Sequence, residues 1–280
     1  MGKGMNAGVF VSVAVIAVAA GAQAATQVEL KNMAARVIVT PENRSDVQLT
    51  VNYGKADLPK ILVTTTGDKL VASGQLRKRS YSCARNQTVR IDGKGAVAVS
   101  DLPVVYLRVP MDARVASEGA VYGRIGATKT LEFALGGCGD WTTDTVQGKA
   151  ELNIGGSGSI RAADAAEAEV AVGGSGDIYL ARVKSLSGAI GGSGSINVAE
   201  VAGPVEIAIG GSGDVRIEKG VAPKVDVSIA GSGNVRFGGE AGDVDVSIVG
   251  AGDVSVRKVT GRVSRSVMGS GRVHIGEGGR

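Results

Sequence analysis

Gly156-Ser157-Gly158-Ser159-Ile160 returns as Gly174-Ser175-Gly176-Asp177-Ile178, and again as Gly192-Ser193-Gly194-Ser195-Ile196. Gly211-Ser212-Gly213-Asp214-Val215 and Gly231-Ser232-Gly233-Asn234-Val235 follow. Looser copies are Gly137-Cys138-Gly139-Asp140-Trp141, Gly250-Ala251-Gly252-Asp253-Val254 and Gly269-Ser270-Gly271-Arg272-Val273. The copies succeed one another at 18 to 20 residues. A fixed period of this kind describes stacked repeats, none of which can bury its apolar face alone.

Between two motifs the apolar residues alternate. After Asp214 the inward candidates are Val215, Ile217, Val221, Val225, Val227 and Ile229. After Asn234 they are Val235, Phe237, Ala241, Val244, Val246 and Ile248. Arg216, Glu218, Asp226 and Ser228 fall between them and suit water. Each coil therefore holds two short strands with one dry and one wet face. The expected fold is all-β: a right-handed parallel β-helix, a single-stranded solenoid with coils of about 19 residues stacked at about 4.8 Å.

Such stacking turns repeated positions into columns. Glycines permit positive φ at a corner and let neighbouring coils approach closely. Ser157, Ser175, Ser193, Ser212 and Ser232 form a column whose hydroxyls can hydrogen-bond along the stack. The next column reads Asp140, Ser159, Asp177, Ser195, Asp214, Asn234, Asp253, Arg272. Neutral residues alternating with aspartates keep like charges about two rungs apart. A cation column is the sharper reading, but carboxylates about 10 Å apart cannot share one calcium.

Composition fits this picture. The chain has 280 residues, 44 of them Gly but only 6 Pro, and no Gly-X-Y period, which excludes collagen. Apolar residues make up 44% and aromatics only 3%, so Val, Ile, Leu and Ala must build the core. The net charge of +4 is too small to argue for nucleic acid.

Residues 1–25 read as an export signal: Lys3, an apolar run from Val9 to Ala20, and Ala22-Gln23-Ala24 before a cleavage near Ala25. An uncleaved anchor is the alternative. The mature chain, 26–280, then reads as one β-helix domain without a transmembrane segment, periplasmic or at the cell surface. Residues 26–115 supply amino-terminal strands and a polar, basic loop at 76–96. Residues 116–275 supply the repeat coils, with Ser117-Glu118-Gly119-Ala120-Val121 as a degenerate first copy. Neither end carries a capping helix, so open coil ends could support an oligomer. Two cysteines in an oxidising compartment make Cys83–Cys138 a candidate disulfide, with two free thiols as the alternative.

Little chemistry is on offer. The glycine motif lacks the helix and third glycine of a dinucleotide loop, and its period is not the nine of calcium-binding toxin repeats. His274 is the only histidine, so no Ser-His-Asp or Cys-His set and no zinc site can be assembled. Asp243 and Asp245 recur at strand spacing and read as a solvated face. Trp141 is the only Trp, leaving no evident aromatic sugar platform. Arg77, Lys78, Arg79 and Arg85 read as a solvated loop. No catalytic, cofactor-binding or metal-binding residue is assigned.

An export signal followed by amino-terminal strands and repeated Gly-Ser-Gly-Asp-Ile/Val motifs resembles the bacterial auto-transporter adhesin head family, the head GIN domain. The resemblance spans roughly Val28 to Ile275. It implies a β-helix akin to pectin lyases, without a recognised catalytic set, serving adhesion. The expectation is an exported, non-enzymatic adhesin-like or envelope binding protein, with envelope polysaccharide or protein as its partner. A polysaccharide lyase or hydrolase and a purely structural envelope component are the alternatives.

Overall fold

A computed structural model describes residues 13–16, 25–77, 80–84 and 87–279. The expected export signal lies outside the described residues, except for a short strand inside its apolar run. The chain is an all-β parallel solenoid of about nine turns with coils of about 19 residues.

The repeat coils hold β10 (Asp112–Ile125) to β23, and nine strands precede them. These nine are β1 (Val13–Ile16), β2 (Gln27–Glu42), β3 (Gln48–Asn52), β4 (Leu62–Thr66), β5 (Lys69–Ser73), β6 (Tyr81–Ala84), β7 (Thr88–Ile91), β8 (Gly95–Ala98) and β9 (Val104–Pro110). After β10 come β11 (Thr130–Leu135), β12 (Asp140–Thr143), β13 (Val146–Ile154), β14 (Ser159–Ala162), β15 (Ala165–Val172) and β16 (Asp177–Ile190). The stack continues through β17 (Ser195–Val201), β18 (Val205–Ile209), β19 (Asp214–Ile229), β20 (Val235–Gly250), β21 (Asp253–Val259), β22 (Val263–Gly269) and β23 (Arg272–Gly278).

Every pairing among these coils is parallel, and from the Cys138 motif onward the motif corners keep the register that the repeats predict. Asp140 lies opposite Ser159, Ser159 opposite Asp177, Asp177 opposite Ser195, and Ser195 opposite Asp214. The motif corners therefore follow one another at single-rung height. The copy expected at Ser117–Val121 is corrected: Ala120 lies opposite Cys138 and Gly123 opposite Trp141, so that rung's corner runs from Gly119 to Gly123, two residues later than the motif pattern suggested. Two aliphatic columns face each other across the interior. Leu135, Ile154, Val172, Ile190, Ile209, Ile229 and Ile248 form one, and Ile160, Ile178, Ile196, Val215, Val235 and Val254 the other; all are buried. Full burial of each such side chain stabilises by about 1.5–3 kcal/mol, which is why a chain with 3% aromatics can hold this shape.

One inward assignment is corrected. Val221 is 62% exposed and Ala222 is buried in its place. The register between β19 and β20 shifts between Ile217 and Val221. The coil from Gly211 to Gly231 is the 20-residue one, and its extra residue bulges and flips the alternation after it.

The parallel stack also reaches further back than residue 116. β2 pairs with β10 from Gln27–Arg114 to Val39–Ile125, and on its other edge with β5 and β9. Its two alternating halves flank Asn32, at φ 49°, which turns the corner where later rungs use the glycine motif. Beyond β5 and β9 the stack is closed by antiparallel strands: β4 pairs with β5, β3 with β9, and β1 with β3. At the other end β22 and β23 pair with β20 and β21.

The expected loop at 76–96 instead contains a three-stranded antiparallel sheet, β6-β7-β8. Its strands are only four residues long, too short for alternation to show in a sequence. Gly93 and Gly95, at φ 77° and 76°, make its tight turn possible. Lys78, Arg79 and Arg85 lie outside the described residues.

Candidate ligand groove

The small sheet sits on the outside of the solenoid. Val89, Ile91, Val99 and Leu102 form a second apolar cluster with Ala34, Ala120 and Tyr122. Those last three occupy outward positions of β2 and β10. Small or aromatic side chains at this end of the stack, where later rungs carry polar ones, let the sheet dock. Cys83 of β6 is bonded to Cys138, with Cα atoms 6.0 Å apart. The bond ties the sheet to the looser motif copy at Gly137–Trp141.

Beside the sheet runs a groove of about 600 Å³. One wall is β6, with Tyr81 and Cys83. The floor is the motif face of the stack: Tyr122, Asp140, Ser157, Ser159, Arg161, Ser175, Asp177 and Tyr179. Parallel register brings these together from four rungs. Tyr122 precedes Gly123 and Asp140 precedes Trp141, and Gly123 lies opposite Trp141, so the phenol begins the column that the aspartates continue. Burial, with Asp140 nearby, pushes the Tyr122 phenol pKa up, and burial does the same to Tyr81 with Glu118 adding to it. Arg161 lies over the Tyr179 ring, 4.8 Å from its centroid. Sequence reading missed this site because its three tyrosines come from widely separated segments, one of them read as loop.

The aspartate column is more than charge spacing. Ser159 Oγ donates to Asp140 Oδ1 at 2.5 Å, and Ser195 Oγ donates to Asp177 Oδ1 at 2.6 Å. Asn234 Nδ2 donates to Asp214 Oδ1 at 2.8 Å, and Arg272 Nη2 to Asp253 Oδ2 at 2.9 Å. Each carboxylate accepts from the residue one rung later, so the alternation makes donor–acceptor pairs. The Arg272 guanidinium holds the Asp253 carboxyl below the usual carboxylate range.

The serine column behaves differently from expectation. Ser157, Ser175, Ser193, Ser212 and Ser232 are exposed. Their backbone amides donate to glycine carbonyls one rung earlier, at 3.0–3.1 Å, and no hydroxyl ladder joins them among the described residues. The strict motif glycines are also explained by proximity and not by positive φ. A Cβ on Gly156, Gly174, Gly192 or Gly211 would collide with the carbonyl oxygen of the equivalent glycine one rung before.

A second groove of about 480 Å³ adjoins the first and shares Arg161 and Tyr179 with it. A third, of about 420 Å³, lies on the opposite face between Lys224, Asp243, Asp245 and Arg262. There the Arg262 amide and side chain hold the Asp243 carboxyl low. On this face Glu132, Glu151 and Glu169 stack in consecutive rungs, as do Glu206, Asp226 and Asp245. Arg114, Lys149 and Lys224 pair with members of these runs. The sequence shows these carboxylates only once the exact register is known. His274 is exposed on β23. Among the described residues no three His, Cys, Asp or Glu side chains converge on a common point.

Residues 201–278 match the model of the family described as "Putative auto-transporter adhesin, head GIN domain". The resemblance read from the motif is borne out over that segment. No curated protein matches the chain. Solved structures share the fold. A "putative adhesin" from Parabacteroides distasonis is 16% identical, covers 95% of this chain and 97% of its own, and superposes with a TM-score of 0.53. A "putative adhesin" from Parabacteroides merdae is 14% identical over 95% of both chains, with a TM-score of 0.55. A "putative lipid binding protein" from Parabacteroides distasonis is 16% identical over 94% of this chain and 96% of its own, with a TM-score of 0.53. At these identities the likeness is one of fold.

Proposed function

We propose that this chain is an exported, non-enzymatic binding protein of the cell envelope or cell surface, adhesin-like in use, and that it engages its ligand at the groove beside the β6-β7-β8 sheet. The observation that carries this is the clamped sheet. A solenoid needs no such appendage for its own closure, yet here one is docked by an apolar cluster and a disulfide against the motif face. A concave groove that brings aromatic rings together with convergent polar groups is the default place for a ligand to bind. The leader-like segment at residues 1–25 and the disulfide agree with an oxidising compartment.

Catalysis finds less support. Asp243 and Asp245 share a groove, but Asp243 is committed to Arg262 and held ionised. General acid work needs a carboxyl raised toward neutrality. The name of the lipid-binding relative describes that protein. The groove here is floored by carboxylates and hydroxyls, which an acyl chain would leave unpaired.

The test is attachment. The purified mature chain should bind intact cells or isolated envelopes, and a variant lacking residues 80–98 should lose that binding while keeping the β spectrum of the stack. Attachment unaffected by the deletion would remove the groove from the function. Steady release of sugar ends from acidic polysaccharide would make the chain an enzyme.

A further inference from the structure

We infer that the groove takes a linear, neutral oligosaccharide lying along the stack axis, with Tyr179 as its platform. This rests on the binding reading above and gives the ligand a chemical class.

Three features converge. First, Tyr81, Tyr122 and Tyr179 all line the groove, although the chain has only five tyrosines. A phenol offers an apolar face to the C–H side of a pyranose and a polar tip to its hydroxyls. Tyr179 is the exposed member, at 37%, and its ring is already held by the Arg161 guanidinium.

Second, two carboxylate oxygens on the floor are acceptors in want of donors. Asp140 and Asp177 each use Oδ1 for a serine hydroxyl, and Oδ2 of each has no partner among the described residues. Carboxylate oxygens bind hydroxyl donors strongly and repel anions. The one described cation on the floor, Arg161, is already engaged: it lies over the Tyr179 ring and its Nη1 donates to Ser159 Oγ at 3.0 Å. A ligand rich in O–H and N–H donors and without net negative charge fits; an acidic glycan does not.

Third, the site is long and periodic. The first groove and its neighbour share Arg161 and Tyr179, so a chain-like ligand can cross the Tyr179 ridge and occupy both. Asp140 and Asp177 are two rungs apart, about 10 Å at about 4.8 Å per rung. One rung is close to the advance of one sugar in an extended β-1,4-linked chain. Every second sugar would therefore meet an aspartate of the column, Asp140 and then Asp177.

An array of neutral linear oligosaccharides, from mono- to hexasaccharides of glucose, N-acetylglucosamine and mannose, tests this with the wild-type chain, Tyr179→Ala and Tyr106→Ala. Tyr106 is equally open, at 42%, and lies on β9 outside both grooves. Binding should strengthen with chain length, fall about tenfold in Tyr179→Ala and stay unchanged in Tyr106→Ala. No binding to any neutral oligosaccharide, or equal loss in both variants, would overturn the inference. A parallel arm uses envelopes treated with periodate, which cleaves sugar diols, and then with chitinase, which removes the β-1,4-linked N-acetylglucosamine that periodate leaves intact. Attachment lost on treatment supports the inference. Attachment that survives treatment overturns it while leaving a binding protein with another ligand. Failure to attach to untreated envelopes removes the binding reading itself.

Discussion

The indole of Trp141 lies directly over Gly123, one rung before it. A Cβ at position 123 would fall among the atoms of the six-membered ring. Trp141 is fully buried and meets Phe133 with ring centroids 4.7 Å apart. Gly123→Ala should therefore destabilise by about 1–3 kcal/mol through overpacking, and Trp141→Ala by about 3–5 kcal/mol through the cavity it leaves. Urea unfolding of both variants checks this. A Gly123→Ala chain as stable as wild type would mean that the rung can spread at no cost.

Adjacent glycines should behave in opposite ways. A Cβ on Gly191 meets nothing within 4 Å, whereas one on Gly192 collides with the Gly174 carbonyl. Gly191→Ala should be neutral or stabilise by about 0.4–1 kcal/mol by stiffening the unfolded chain. Gly192→Ala should cost about 3 kcal/mol, because two backbones must move apart. Thermal melts of the two variants decide it; equal shifts would refute the stacking account of the motif.

These pairs show why the stack was legible and its attachments were not. Ile160, Ile178 and Ile196 recur at a fixed spacing, so column, register and inward face follow from counting. Val221 breaks the count because the pattern cannot say where in a 20-residue coil the extra residue bulges. Tyr81 and Tyr179 are far apart in the chain, and only the docking of β6 brings them to one groove. That docking depends on Ala34, Ala120 and Tyr122, unremarkable residues whose outward direction makes them informative. The pairing of Cys83 with Cys138 could be suspected from parity, but not that it clamps a wall of the groove.

Breaking that clamp should be costly and local. The bond spans 55 residues. Chain-entropy arguments put its contribution at about 4 kcal/mol. The double variant Cys83→Ser, Cys138→Ser should lose hydrogen-exchange protection at β6, β7 and β8 first, while β16 to β20 stay protected. Uniform loss along the whole stack would show that the sheet is not a separable unit.

Two ionisable groups make pH predictions of opposite direction. Burial raises the Tyr122 pKa, so the fold favours the neutral phenol. Its contribution is complete below the unfolded value of about 10 and is lost as pH rises toward the folded one. Tyr122→Phe should flatten the alkaline fall in stability above about pH 10. The hydrogen bond from Arg272 lowers the Asp253 pKa, so that pair's contribution is present above the ordinary carboxylate value and lost as pH falls through the folded one. Carboxyl carbon NMR should show Asp253 titrating below the ordinary range, and Arg272→Gln should return it there.

A polar atom inside the stack offers a route to stability. Thr143 is buried and its hydroxyl has no partner among the described residues. Ile125 and Ala162 flank it in the same inward column. Thr143→Val keeps the shape and removes an unpaired hydroxyl, so it should stabilise by about 1 kcal/mol. A lower melting temperature would mean that the hydroxyl is satisfied in solution, by bound water for instance.

The parallel register from β12 to β21 has an evolutionary corollary. Because equivalent positions face one another rung after rung, a duplicated unit of 18 to 20 residues could be spliced between two strict copies. Its neighbours would find the same partners as before. Selection could thus change how far the tyrosine-bearing end stands from the opposite end in increments of one coil. The molecule's reach is a digital quantity, adjustable by unequal crossing-over without redesign of either terminus.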